Sequence, residues 1–415
     1  MATTLLLLPL LALGPGPLPA LQEEEPLPAV SLELEAPDGS LRTIRAGEPV
    51  LTDPRAEQAW IVRVRGERPG ATAAPADPGL GAVEVALVGG DLLRGAIIDG
   101  KDESLTVRIA GGALLPLTIE GIERLVLPDN LPASLAAPLA APEEGDRIYL
   151  RTGNTLDRDD GTVIAFSETG LQFESLVLGV REVEWGQLAA LFVEVFGDSE
   201  PGDEAGTGVP VSVDLVDGGR LRGRFQRLDA ARLDLVVGRG TEVRLPLSRV
   251  ARVTVEDGRL AYLSSLTPVE EVGRGAPFGD ELGLVFDHAM DRSVVGGPLT
   301  VGNQRFARGI GMHAPSRLRF DLPAGWTRLR GKVGIDGSTA RLPEEARGSV
   351  VFRVRFGGEL LWESRVVRGG DAALALPNLT LPAGSDDRSL ELEVDVVEDF
   401  RGDRANWLEL LLVRD

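Results

Sequence analysis

The chain has 415 residues, 43% of them hydrophobic, and 43 Lys and Arg against 64 Asp and Glu give a formal charge of −21. Its length suits roughly two to four domains with real cores, and its acidity disfavours nucleic acid and anionic membranes as partners. Cysteine is absent and there are only two histidines, His288 and His313, which excludes disulfides, thiolate chemistry and multi-histidine metal centres, while 51 Gly and 28 Pro favour turns and short strands over long helices.

Residues 1–20 read as a signal peptide. The apolar run Leu5–Leu13 is followed by Gly14–Pro19 and Ala20. It is shorter than the ~20 apolar residues a spanning helix needs. This predicts a secreted or periplasmic, extracytoplasmic protein without a transmembrane segment. Residues 29–68 are β-rich, with strand-like runs at Val30–Leu34 and Trp60–Val64 that either stand alone or extend a neighbour.

Three repeats follow, at residues 83–131, 146–196 and 209–258. The first carries Val83–Leu87, Gly89-Gly90 and Leu93-Arg94-Gly95; the third carries Val211–Leu215, Gly218-Gly219 and Leu221-Arg222-Gly223, with Leu215 and Gly223 each 128 positions beyond Leu87 and Gly95. The second carries Ile148-Tyr149-Leu150, Gly153 and Asp160-Gly161. Alternation such as Val211, Val213, Leu215 buries one strand face. Glycine pairs turn the hairpins, and the later glycine lets a strand bend around a small barrel. The rhythm resembles the SH3-like and Sm-like barrels. Pro69–Pro78, Pro132–Gly145 and Gly197–Gly208 read as linkers between independent units, so proteolysis is expected first within 132–145 and 197–208.

The character changes over residues 259–415. Asp291–Thr300 (DRSVVGGPLT), Arg308–Ser316 (RGIGMHAPS), Gly331–Asp336 (GKVGID), Arg347–Val354 (RGSVVFRV) and Ala405-Asn406-Trp407 follow in order. This conjunction resembles the NPCBM family of carbohydrate-binding modules. The resemblance implies a β-sandwich of the galactose-binding type, a jelly roll that binds glycans, including galactose-containing ones. The short alternating strands at Leu318–Phe320, Val350–Phe356, Leu360–Val366 and Leu390–Val396 agree with a sandwich independently. Two positions depart from the family pattern. Asn406 stands where an acid is common, and Leu408-Glu409 where Ala-Asp is common.

The candidate sugar ligands are His313, Arg292, Asn406, Trp407 and Trp326. His313 is placed on a loop by Gly311 and Pro315, where it either bonds a sugar hydroxyl or pins the loop to a carbonyl. Arg292 either binds sugar or pairs with Asp291. Trp407 stacks on a pyranose or leads the last strand into the core; Trp326, in a Pro-Ala-Gly turn, is expected to be exposed. His288 is read as a surface residue. Asp336 and Glu409 are either hard oxygen ligands of a structural calcium ion or solvated carboxylates. Asp157–Gly161 brings its glycine one position too early for a calcium loop, and no Gly-x-Ser-x-Gly or P-loop spacing occurs. The expectation is an all-β, exported, non-catalytic glycan-binding protein, its barrels a spacer or an array contacting envelope proteins. The alternatives are an envelope assembly protein without sugar binding and an enzyme of glycan processing.

Overall fold

The structure, a computed structural model, describes residues 31–45, 51–66, 80–133, 139–195, 207–274 and 285–414, excepting 239, 386 and 399. The expected signal peptide and the centres of the three linkers lie outside the described residues. Among these residues the chain is all β, with short 3-10 turns and no α-helix.

Each repeat forms five antiparallel strands. The N-terminal segment gives β1 (Ser31–Glu35), β2 (Leu41–Arg45) and β3 (Ile61–Arg65). The first repeat gives β4 (Ala82–Leu87), β5 (Leu92–Lys101), β6 (Ser104–Ile109), β7 (Leu114–Thr118) and β8 (Ile122–Val126). The second gives β9 (Asp146–Thr152), β10 (Thr155–Phe166), β11 (Gly170–Ser175), β12 (Gly179–Glu184) and β13 (Leu188–Phe192). The third gives β14 (Val209–Leu215), β15 (Arg220–Leu228), β16 (Arg232–Val237), β17 (Thr241–Pro246) and β18 (Val250–Val255). In every copy the first strand pairs with both the second and the fifth, so the sheet curls back on itself.

The curl has a local cause. A Cβ on Gly95, Gly161 or Gly223 would stand 2.0, 2.1 or 2.6 Å from a carbonyl oxygen of the next strand. The register shifts just beyond each glycine, between Ile97 and Asp99, Val163 and Ala165, and Phe225 and Arg227. Glycine admits the close approach and the bulge adds twist, at the same offset in all three copies.

The repeats are not independent units. Strand β13, buried throughout, pairs with β9 and also with β8, joining the first two copies edge to edge. Strand β3 pairs with β18, and β1 lies between β2 and β3, so the N-terminal strands extend the third copy. The first and third copies meet where Leu92 bridges Arg220 and Asp91 accepts from Arg222 at 2.9 Å, while Arg94 donates to the Asp217 carbonyl. One apolar core runs through all of them, from Leu34 to Val255. Unpaired sheet edges are a liability, and here the first two copies cover each other's edge while the N-terminal strands cover the third.

The C-terminal region is a two-layer sandwich. Its first sheet contains β19 (Leu260–Tyr262), β21 (Ala289–Met290), β24 (Gly309–His313), β26 (Arg328–Ile335), β30 (Leu374–Ala375), β31 (Leu379–Thr380) and β33 (Arg404–Val413). The second contains β20 (Glu270–Val272), β25 (Ser316–Asp321), β27 (Ser349–Phe356), β28 (Glu359–Glu363), β29 (Val367–Arg368) and β32 (Ser389–Val396). A hairpin of β22 (Leu299–Val301) and β23 (Gln304–Phe306) packs outside the first sheet on Leu408. The inner faces share a core of Met312, Phe320, Phe352, Leu392 and Trp407 among others. Leu260, Tyr262, Leu411 and Val413 join the core of the repeats instead. The outer face of the first sheet is therefore docked on the third repeat at one end.

Candidate functional site

Strand alternation decides where the candidate residues point. Ile310 pairs with Trp407 and Met312 with Ala405, and all four lie in the sandwich core. Their neighbours Gly311, Asn406, His313 and Arg404 therefore face outward. A Cβ on Gly311 would lie 2.5 Å from the Arg292 oxygen, so the absence of a side chain lets the loop after β21 lie flat on the sheet. That loop lays the Arg292 backbone over Gly311, the register partner of Asn406. His313 and Asn406 thus share one face of one sheet end, with the Arg292 backbone lying over it.

Asn406 is fully buried beneath the loop. Its Nδ2 donates to Asp336 Oδ2 at 2.7 Å and to the Thr300 carbonyl at 3.1 Å. Asp336 Oδ1 caps the following turn, accepting from the Ser338 amide at 2.9 Å. An acid at position 406 would oppose two carboxylates across that 2.7 Å contact, so the amide is the residue this arrangement requires.

His313 ends β24 and is buried, rather than standing on a loop. Its ring stacks on Phe286 with centroids 4.4 Å apart, and Nδ1 donates to the Ala314 carbonyl at 2.9 Å. This is the pinning contact, and it leaves Nε2 of the neutral ring as an acceptor. Burial pushes the imidazole below its usual pKa, opposed by the Ala314 bond and reinforced by Arg404. Arg292 is exposed and Arg404 half-buried, its Nη1 donating to Ser338 Oγ at 3.1 Å. Asp291 does not pair with Arg292. It takes Arg220 at 3.0 Å and Arg308 at 3.5 Å.

Both tryptophans are removed from the sugar-facing set. Trp407 is fully buried, edge-on to Phe352 at 5.1 Å. Trp326 is buried too, contrary to the turn reading: the pairing of Arg328 with Val413 draws it into the core, where Arg414 covers its ring at 4.2 Å. It also lies at the far end of β33 from Arg404, about 30 Å away along the strand. His288 is half-buried and bonded to Glu271 at 2.8 Å.

The calcium pair is not brought together. Asp336 is occupied by Asn406, Thr300 and Ser338, whereas Glu409 faces the third repeat and pairs with Arg252. Among the described residues no three His, Asp or Glu side chains cluster as a ligand set. Asp336 and Glu409 do not fit a shared ion.

Sequence reasoning missed the buried charges joining sandwich and repeats. Arg308, in the RGIG motif, donates Nη1 to Ser265 Oγ at 3.2 Å and Nη2 to Ser212 Oγ at 3.3 Å, and its guanidinium lies over Tyr262. Burial alone would raise the Asp214 carboxyl, but Arg308, Arg220 and Arg252 hold it below the usual carboxylate range. Alternation gave no signal for this: Asp214 lies on the face opposite Val211, Val213 and Leu215, and it is buried only because the sandwich docks there.

The NPCBM/NEW2 domain family matches residues 261–413. Over 124 residues the chain is 36% identical to alpha-1,3-galactosidase B of Akkermansia muciniphila, a stretch that is 29% of this chain and 15% of that protein's length. Among solved structures, CBM51 of Clostridium perfringens GH95 in complex with methyl-galactose aligns with 37% of this chain and 99% of its own, at 21% identity and a TM-score of 0.31. Tandem CBM51 modules of a family 98 glycoside hydrolase from Streptococcus pneumoniae align with 65% of this chain and 88% of theirs, at 13% identity and a TM-score of 0.33. By its matched motifs and the two-sheet sandwich that carries them, the C-terminal third of this chain, residues 261–413, is an NPCBM domain.

Proposed function

We propose that the protein is an exported, non-catalytic glycan-binding protein whose NPCBM domain takes galactose-containing glycans, with the repeats as a rigid spacer or interaction platform. The family match over residues 261–413 carries the reading. The related stretch of a galactosidase supports galactose as the sugar class. In this reading Arg292 and Arg404 contact the sugar from the outer face of the first sheet, His313 offers Nε2, and Asn406 and Asp336 hold the floor beneath them. Among the described residues no helix is long and apolar enough to cross a membrane.

Titration of the full chain with galactose and galactose-terminated oligosaccharides tests the reading. Saturable binding is expected, weakened in Arg292→Ala by about 1–3 kcal/mol as charged hydrogen bonds are lost. No binding to any galactose-terminated glycan overturns it. Hydrolysis of glycosides that disappears on changing one Asp or Glu overturns its non-catalytic part.

A further inference from the structure

A second recess lies where the NPCBM sheet meets the N-terminal strands. Its volume is about 560 Å³, within the range of small-molecule sites. Six cations line it, Arg63, Arg65, Arg252, Arg305, Arg330 and Lys332, against the three carboxylates of Glu33, Glu35 and Glu409. An excess of positive charge is thus concentrated in one cleft of a chain whose formal charge is −21.

The carboxylates are already shared. Glu33 takes both Arg63 and Arg65, Glu35 takes Arg63 and Arg330, and Glu409 takes Arg252. Among the described residues neither Arg305 nor Lys332 forms an ion pair within 4 Å, though the Lys332 charge acts on Glu409 at longer range; Lys332 Nζ lies 5.7 Å over the Phe306 ring. Nε and Nη2 of Arg330 are buried and bond nothing within the protein. The backbone is shaped around the cleft as well. The register of β26 against β33 shifts between Arg330 and Lys332, and Glu409 opposite adopts a φ of +49°, costly for a residue with a side chain. Gly331 between them has no room for a Cβ, which would meet Leu410 at 2.7 Å.

We propose that this cleft binds an acidic sugar, with Lys332 and Arg305 taking its carboxylate or sulfate group and Arg330 supplying further donors. A mixed lining selects that class. The cations attract the acid group, while the Glu33 and Glu409 oxygens and Gln304 accept from sugar hydroxyls. A bare inorganic anion would meet the same carboxylates as repulsion. The cleft is separated from the Asn406 end of the sheet by the β22–β23 hairpin, and the proposal does not depend on galactose binding there.

Calorimetry on the full chain with glucuronate, galactose 6-sulfate and sodium sulfate tests it. One or both acidic sugars should bind, more tightly than sodium sulfate and less tightly as salt is raised. Affinity should fall at least tenfold in the Lys332→Gln, Arg305→Gln double variant and return with Lys332→Arg, Arg305→Lys, which keep the charges. The proposal fails if neither acidic sugar binds, if the double variant binds them unchanged, if the charge-keeping variant binds no better than the neutral one, or if sodium sulfate binds as tightly as both sugars.

Discussion

His313 shows how much one side chain can be constrained by its neighbours. Stacked on Phe286 and bonded through Nδ1 to Ala314, it resists a proton in the folded chain, whereas an unfolded imidazole titrates near its usual value of 6.5. The unfolded state therefore binds more protons below that value. Stability contributed by His313 is fully present above pH 6.5 and is lost as pH falls from there through the lowered native pKa. The pH dependence of the melting temperature checks this: wild type should weaken on acidification below that point, and His313→Gln should weaken less steeply. Identical slopes would remove His313 from the account. The residue type and its motif were legible in the sequence; its burial was not, because Gly311 and Pro315 suggest a loop and the pairing of β24 with β33 is a long-range fact. Trp326 was misread for the same reason. Its turn is local, but its cover comes from Arg414, at the other end of the domain's sequence.

At the scale of elements, the repeated glycine was legible because the backbone itself demands it. A strand that must bend against its neighbour needs a residue without Cβ, and that need recurs at Gly95, Gly161 and Gly223. The gaps are graded, so the costs should be too. Gly95→Ala and Gly161→Ala are each expected to cost about 1–3 kcal/mol or more by overpacking, with Gly223→Ala less severe. Gly153→Ala, with nothing within 4 Å of the added Cβ, should pay only the strain of its φ of +62°. Chemical denaturation of the four variants would order them, and equal costs would count against the bend as the reason for glycine. What the repeat pattern did not disclose is the pairing of β13 with β8. Alternation marks which face of a strand is buried, but it is silent on which edge is covered and by whom.

For the molecule as a whole, the junction between repeats and sandwich is a buried ionic contact rather than a tether. Asp214 is fully enclosed by the cations of Arg308, Arg220 and Arg252, two from its own repeat and one from the sandwich. Removing one charge strands the others, so Asp214→Asn should destabilise the chain by about 3–5 kcal/mol. The native carboxyl titrates below its usual range; its contribution is therefore present above about pH 4 and disappears as pH falls through the lowered native value. Urea unfolding of the variant at neutral pH gives the number, and a loss under about 1 kcal/mol would mean the contact is solvated and weak. The sequence changes in character at residue 259, yet that change in composition coincides with a packed seam, because Leu260, Tyr262, Leu411 and Val413 belong to the core on the other side.

The meeting of the first and third repeats has a further consequence. Leu92 bridges Arg220, its own counterpart 128 positions later. Arg94 reaches the turn at Asp217, and Arg222 reaches back to the turn at Asp91. The Leu92–Arg220 bridge joins equivalent positions, and the two arginine contacts are roughly reciprocal, as about a two-fold axis. The first and third copies therefore meet with approximate two-fold symmetry inside one polypeptide. The middle copy cannot join that symmetry: where the others place arginine it has Asp160, which is already held by Arg147 at 2.6 Å. It attaches through β13 instead, so three copies of one pattern assemble as a pair and an outrigger.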